Sequence, residues 1–177
     1  MISITTNRLI LRPWREDEAE VMFRWASNPA VGPIAGWPTH QSVEESREII
    51  RTVFSVPETY AIVLRATDEP IGSAAIKVGE RVSSSLQSTS GREAELGYWL
   101  AEPYWGQGLM TEAVRALICR AFEELNFSRI WCGYYEGNER SRRVMEKCGF
   151  TPHHTEYNKP TLLGDFRTEH FMVLESE

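Results

Sequence analysis

Hydrophobic and polar positions alternate in short runs along this chain, and stretches of helical period separate the runs. Leu9-Ile10-Leu11-Arg12-Pro13 reads as a strand stopped by its proline, which has no N–H to give a sheet ladder. Ala19, Met22, Phe23, Trp25 and Ala26 then recur at helical spacing behind an acidic first turn, as a helix dipole favours. Pro29, Gly32, Pro33, Gly36 and Pro38 mark an irregular loop. Ser42-Val43-Glu44-Glu45 has capping-box spacing, and Ile49, Ile50, Val53 and Phe54 give a second helix its apolar face before Pro57 closes it.

Tyr60 to Ala66 and Ile71 to Val78 predict a hairpin turned by Thr67-Asp68-Glu69-Pro70. Gly79 to Arg92, rich in Ser and Thr without hydrophobic period, reads as a long surface excursion between strands. Glu95 to Leu100 is a strand. After it, Val114, Leu117, Ile118, Ala121, Phe122 and Leu125 trace a helix that opens at Thr111. Arg129 to Tyr135 is a further strand. Asn138 is placed to cap a helix ending at Lys147-Cys148-Gly149, and residues 150–157 and 166–174 close the chain as strands. The order β-α-α-β-β-β-α-β-α-β-β predicts an α/β (α+β) fold, with a mixed sheet carrying helices on both faces.

With 177 residues, the chain suits one domain over 1–177 with a substantial core. A hydrophobic content of 42% with 25% charged residues places it among globular proteins rather than disordered ones. No apolar run approaches the roughly 20 residues of a membrane span. A net charge of −6 argues against a nucleic-acid partner, which calls for a basic face. Met1 to Arg8 lacks a signal-peptide pattern. Cys119, Cys132 and Cys148 have no CxxC spacing and fall in apolar helix or strand settings, where they read as core. His40 and the pair His153-His154 lack ligand spacing, so no metal site is expected. A cytoplasmic chain is the expectation. Its one basic patch, Arg140, Arg142, Arg143 and Lys147, points to an anionic ligand.

The chemistry concentrates where a strand runs into Gly106-Gln107-Gly108 and then a helix. Glycines let a backbone approach a ligand closely, and the free N–H groups of a first helical turn bind anions. Neither a P-loop nor a dinucleotide-binding fingerprint is present. Leu96-Gly97-Tyr98-Trp99-Leu100, Tyr104 to Ala113, Asn138-Glu139-Arg140-Ser141 and Glu146 to Phe150 together resemble the GNAT superfamily of N-acetyltransferases. With Thr6-Asn7-Arg8-Leu9-Ile10-Leu11-Arg12-Pro13, they are most similar to its RimJ/RimL branch, which acetylates N-terminal amines of ribosomal proteins. These blocks span residues 5 to 150.

The resemblance implies the GNAT fold, with a largely antiparallel sheet, and direct transfer of acetyl from acetyl-CoA to an amine. The family's loop binds pyrophosphate mainly through main-chain N–H groups, here Gly106, Gln107, Gly108, Leu109, Met110 and Thr111. Trp105 and Met110 depart from the general loop pattern. Tyr98, Trp99 and Leu100 correspond to the strand that pairs with the pantetheine arm, and Asn138 to an asparagine that bonds it. Many members place a tyrosine seven residues after that asparagine to protonate the departing thiolate. Here it is Met145, and Ser141 matches the serine given that role in the RimJ/RimL branch. Glu95 resembles the family's base carboxylate, Trp37 lies in the loop that lines the acceptor pocket, and the basic patch offers partners for the 3′-phosphate. A protein N-terminus is the nearest acceptor, and two-fold homodimers are common in the branch. Alternatives left open are a small amine acceptor (polyamine, amino acid analogue or aminoglycoside) and a catalytically silent acyl-CoA-binding regulator.

Overall fold

The computed structural model describes residues 2–83, 86 and 92–176. Its strands are β1 (Ile4–Thr5), β2 (Leu9–Arg12), β3 (Thr59–Leu64), β4 (Glu69–Lys77), β5 (Glu93–Leu100), β6 (Arg129–Tyr135), β7 (Thr151–Pro160) and β8 (Phe166–Glu175). They form one eight-stranded sheet in the order β1-β2-β3-β4-β5-β6-β8-β7. Every neighbouring pair is antiparallel except β5 with β6. Helices α1 (Ala19–Ala26) and α2 (Val43–Thr52) lie between β2 and β3, α3 (Leu109–Cys119) crosses from β5 to β6, and α4 (Glu139–Lys147) follows β6. No helix among the described residues is long and apolar enough to cross a membrane.

The alternation along β3 shows why helices cover both faces. Tyr60 and Ile62 join the cluster of Leu9, Leu11, Val114, Leu117 and Met145 beneath α3 and α4. Ala61 and Val63 face the other way, into Trp14, Met22 and Ile50 beneath α1 and α2. Full burial of each large aliphatic side chain contributes about 1.5–3 kcal/mol, so neither face tolerates being left bare. The expected cap of α2 is present, with Ser42 Oγ accepting from the Glu45 N–H at 3.0 Å.

Some expectations need correcting. The helix expected to open at Thr111 begins at Leu109 with Gly108 as its N-cap, because Leu109 and Met110 are buried and belong to its apolar face. Thr111 is therefore in the first turn rather than the cap. The same helix ends in a π-turn over Arg120–Glu124. β1 is a strand too short for any period to reveal. Between residues 79 and 92 the chain is not all surface: Val82 and Leu86 pack with Trp131 and Phe171. Its remaining reading, at residues 84–85 and 87–91, lies outside the described residues. Cys119 is exposed rather than core, whereas Cys132 is buried.

The feature that organises function is the parallel pair. β5 and β6 run together only from Glu93–Arg129 to Leu96–Cys132. Beyond that, β5 continues against β4 as far as Leu100, and β6 continues against β8 as far as Tyr135. The sheet opens into a wedge, and the first residue past the last pair is a glycine on each strand, Gly97 and Gly133.

Candidate active site

Two cavities meet in the wedge. One, of about 580 Å³, reaches toward α3 and α4. The other, of about 690 Å³, reaches toward α2 and the β7–β8 hairpin. Tyr98, Trp99, Asn138 and Ser141 line both, so whatever occupies one cavity can react with whatever occupies the other.

The first cavity is built for an elongated anion. Gly106 and Gly108 sit at φ +73° and +75°, left-handed conformations that favour glycine, and turn the chain sharply into α3. The first bond of the helix runs from the Glu112 N–H to the Gly108 carbonyl at 3.1 Å. The N–H groups of Leu109, Met110 and Thr111 thus have no helical partner, and all three residues line the cleft. Glu112, a carboxylate that would repel an anion there, is drawn away. It accepts from Thr6 Oγ1 at 2.6 Å and from Arg8 N and Nε at 2.7 Å each. These contacts hold the Glu112 carboxyl below its usual range against the opposing cost of partial burial. Arg8 also donates to the Gln107 carbonyl at 2.9 Å and so ties the loop to β2.

Gln107 is the exception among the expected loop positions. Its carbonyl faces Arg8, its side chain donates to the Pro103 carbonyl at 2.9 Å, and it does not line the cleft. Trp105 donates from Nε1 to the Leu100 carbonyl at 2.8 Å, and the Arg140 guanidinium lies 4.0 Å from its ring centroid. A cation thus reaches the first loop position from α4. Within the basic patch, Arg142 is committed to Glu139 and Glu146. Arg140, Arg143 and Lys147 instead line the cleft, and among the described residues no carboxylate pairs with them.

Where the cavities meet, Asn138 caps α4 by accepting the Ser141 N–H at 3.3 Å. The Tyr98 hydroxyl donates to the Ser141 carbonyl at 3.2 Å and lies 3.1 Å from Ser141 Oγ. Burial pushes the Tyr98 phenol well above its ordinary range, so it stays neutral. This hydroxyl contact is a role the sequence does not reveal, since the resemblance assigns β5 only its main chain. Met145 is fully buried on the inner face of α4 and cannot stand in for a proton donor.

The second cavity is aromatic. Trp37 meets Trp99 edge-on with ring centroids 5.9 Å apart, and Trp99 stacks on Trp14 at 6.4 Å. Glu95 is 6% exposed and fully engaged. Its Oε1 accepts from Lys77 Nζ at 2.8 Å, and its Oε2 from the Ser83 N–H at 2.7 Å.

A family model described as "Acetyltransferase (GNAT) domain" matches residues 8–151. The chain belongs to the GNAT acetyltransferase family. Among relatives, it is 28% identical over 155 residues to the uncharacterized N-acetyltransferase p20 of Bacillus licheniformis, covering 85% of this chain and 83% of that one. It is 49% identical over 59 residues to YdaF of Bacillus subtilis (strain 168), provisionally named a ribosomal N-acetyltransferase, with 33% and 32% of the two chains covered. A Vibrio cholerae structure, provisionally described as a ribosomal-protein-serine acetyltransferase, superposes with a TM-score of 0.78 at 25% identity over 99% of this chain and 98% of that one. The fold is accordingly the GNAT fold, and the protein is an acetyl-CoA-dependent N-acetyltransferase. The donor set of the first cleft suits that cofactor: three unpartnered N–H groups for a pyrophosphate, with three cations along the rim.

Proposed function

We propose that this acetyltransferase modifies the α-amine at a protein N-terminus, in the manner of the RimJ/RimL branch, in the cytoplasm. The single observation that carries the reading is the second cavity, which shares Ala35, Tyr98, Trp99, Asn138 and Ser141 with the cofactor cleft. Its volume of about 690 Å³ has room for the first residues of a chain. The names borne by YdaF and by the Vibrio cholerae structure support the same acceptor class. Three free cysteines fit a reducing compartment.

Acetyl-CoA supplies an acetyl group on a thioester, whose C–S bond breaks as a C–N bond forms to the amine. The N–H groups of Leu109, Met110 and Thr111 hold the pyrophosphate, and Arg140, Arg143 and Lys147 hold the 3′-phosphate. Tyr98, Trp99, Leu100 and Asn138 line the path of the pantetheine arm, and Trp37 with Trp99 encloses the acceptor. Ser141 Oγ gives a proton to the departing sulfur. An α-amine of pKa about 7.7–8.0 is partly neutral near pH 7, so the site needs only modest help with deprotonation.

The test is calorimetric titration with acetyl-CoA, followed by thiol release with N-terminal peptides and with small amines. Turnover on peptides supports the reading; turnover on small amines alone rejects it. The cation assignment has its own test. Arg143→Ala with Lys147→Ala is expected to weaken acetyl-CoA by at least about tenfold, the lower end of what one charged hydrogen bond contributes. The loss should shrink for the 3′-dephospho form. Arg142→Ala, already neutralised by two carboxylates, should leave affinity within about twofold.

A further inference from the structure

We propose that Glu169, on β8, is the carboxylate that receives the acceptor's ammonium group and takes its proton. The inference rests on the reading of the second cavity as the acceptor site.

The two glycines at the mouth of the wedge carry the case. A side chain at Gly97 would put a Cβ 2.8 Å from Lys77 Cε, and one at Gly133 would put it 2.6 Å from Glu169 Oε1. Each diverging strand thus admits one charged side chain from its outer neighbour, Lys77 from β4 across β5 and Glu169 from β8 across β6. Both line the acceptor cavity along with Tyr98 and Ser141.

The two carboxylates of this floor are not equivalent. Both oxygens of Glu95 are taken, by Lys77 and by the Ser83 N–H. Among the described residues Glu169 has a single cationic partner, Lys159 from β7, 3.5 Å from Oε2, and Lys159 is held more closely by Glu156 at 2.6 Å. Oε1 of Glu169 accepts no hydrogen bond from any described residue and borders the cavity over Gly133. The third carboxylate lining the cavity, Glu45 of α2, stands away from the mouth of the wedge and already accepts from the Gln41 N–H at 2.5 Å through Oε2, so an ammonium at the wedge itself meets the open oxygen of Glu169.

The charged surroundings suit a base. Burial raises the Glu169 carboxyl, Lys159 lowers it, and Glu95 from β5, backed by Lys77 of β4, raises it. Tyr135 of β6 and Glu156 of β7 also act on it, while His40 and Glu45 line the α2 side of the same cavity. A carboxylate moved toward neutrality is a better proton acceptor than an ordinary surface one. The protons balance. Glu169 Oε1 takes one from the ammonium and later passes it to solvent, while the freed lone pair forms the C–N bond. As C–N forms and C–S breaks, Ser141 Oγ protonates the sulfur and is itself refilled by the second proton leaving nitrogen. Glu95 is a positioning residue, acting on Glu169 through its charge.

The experiment compares Glu169→Gln and Glu95→Gln on whichever amine the wild-type enzyme turns over, peptide or small, so that a wrong acceptor class does not obscure the result. With an α-amine, Glu169→Gln is expected to cost about tenfold in kcat/KM at pH 7, since about a tenth of such an amine is already neutral there, and with a more basic alkyl amine the loss should be larger. The acid limb of its kcat/KM profile should move up to the pKa of the amine itself. Glu95→Gln should keep a limb below the amine's pKa, shifted downward because a neighbouring negative charge is gone. A readout free of turnover is calorimetric titration of the same amine into the enzyme–CoA complex at pH 6.5, expected to be about tenfold weaker in Glu169→Gln, with acetyl-CoA affinity unchanged. Gly133→Ala, which displaces the carboxylate without removing it, should move the limb in the same direction. An unchanged limb and amine affinity in Glu169→Gln, or loss of the limb in Glu95→Gln, overturns the proposal.

Discussion

Ser141→Ala is expected to lower kcat about 100-fold while leaving the dissociation constant of acetyl-CoA within about threefold of wild type. General acid catalysis contributes about 10²–10⁴-fold, and a thiol with a pKa near 8.5 is a good enough leaving group to put this site at the lower end. The Ser141 main chain is fixed independently of its hydroxyl, by the Asn138 cap and the Tyr98 hydrogen bond to its carbonyl. Removing Oγ should therefore spare the helix and the cofactor cleft. Tyr98→Phe breaks both contacts to Ser141 without touching the cofactor loop, and is expected to cost about tenfold in kcat. Because Tyr98 acts through Ser141, the double variant should be no slower than Ser141→Ala alone, a strongly non-additive result. Pre-steady-state thiol release and calorimetry separate the two quantities. A Ser141→Ala enzyme within threefold of wild-type kcat would reduce the residue to a helix-terminal neighbour of the cofactor.

What the sequence revealed of this site follows from how local each feature is. The glycine turn into α3 was legible because its conformation belongs to the backbone of a few consecutive residues. Asn138 was legible because capping is decided three residues away. The separation of Arg142 from Arg143 and Lys147 was partly legible too, since Glu139 and Glu146 lie at helical spacing from Arg142. Glu169 was not. Its importance depends on the register that sets it opposite Tyr135 and on a glycine 36 positions earlier on another strand. No period along β8 records either fact. The Tyr98–Ser141 contact is hidden for the same reason, being made across the wedge between β5 and α4. The helix start is displaced from Thr111 because the apolar period first becomes visible after the glycine loop, whereas burial of Leu109 and Met110 pulls it two residues earlier.

Gly72→Ala tests a different use of glycine, one that links the core to the site. Gly72 pairs with Leu100 across β4 and β5, opposite the irregularity in β3 at Ile62 and Val63. A Cβ there would lie 2.4 Å from the Trp99 carbonyl oxygen and 3.0 Å from Leu100 Cα. Both are backbone atoms, so no rotamer change relieves the clash, and the two strands must move apart. Overpacking of this kind typically costs 1–3 kcal/mol and occasionally more. With rigid backbone on the receiving side, about 3 kcal/mol is expected, a fall of roughly 6–12 °C in Tm for a domain of this size. Gly106→Ala provides the contrast, because nothing lies within 4 Å of its added carbon and only the left-handed backbone is penalised. That substitution should cost about 1–2 kcal/mol. Since Trp99 and Leu100 line the cofactor cleft, Gly72→Ala should also weaken acetyl-CoA at temperatures where the variant remains folded. Thermal unfolding with and without saturating acetyl-CoA reads both effects. A Tm within about 2 °C of wild type would show that β4 and β5 can spread at that point without cost, and that the strand holding Tyr98 and Trp99 is less rigid than its pairing implies.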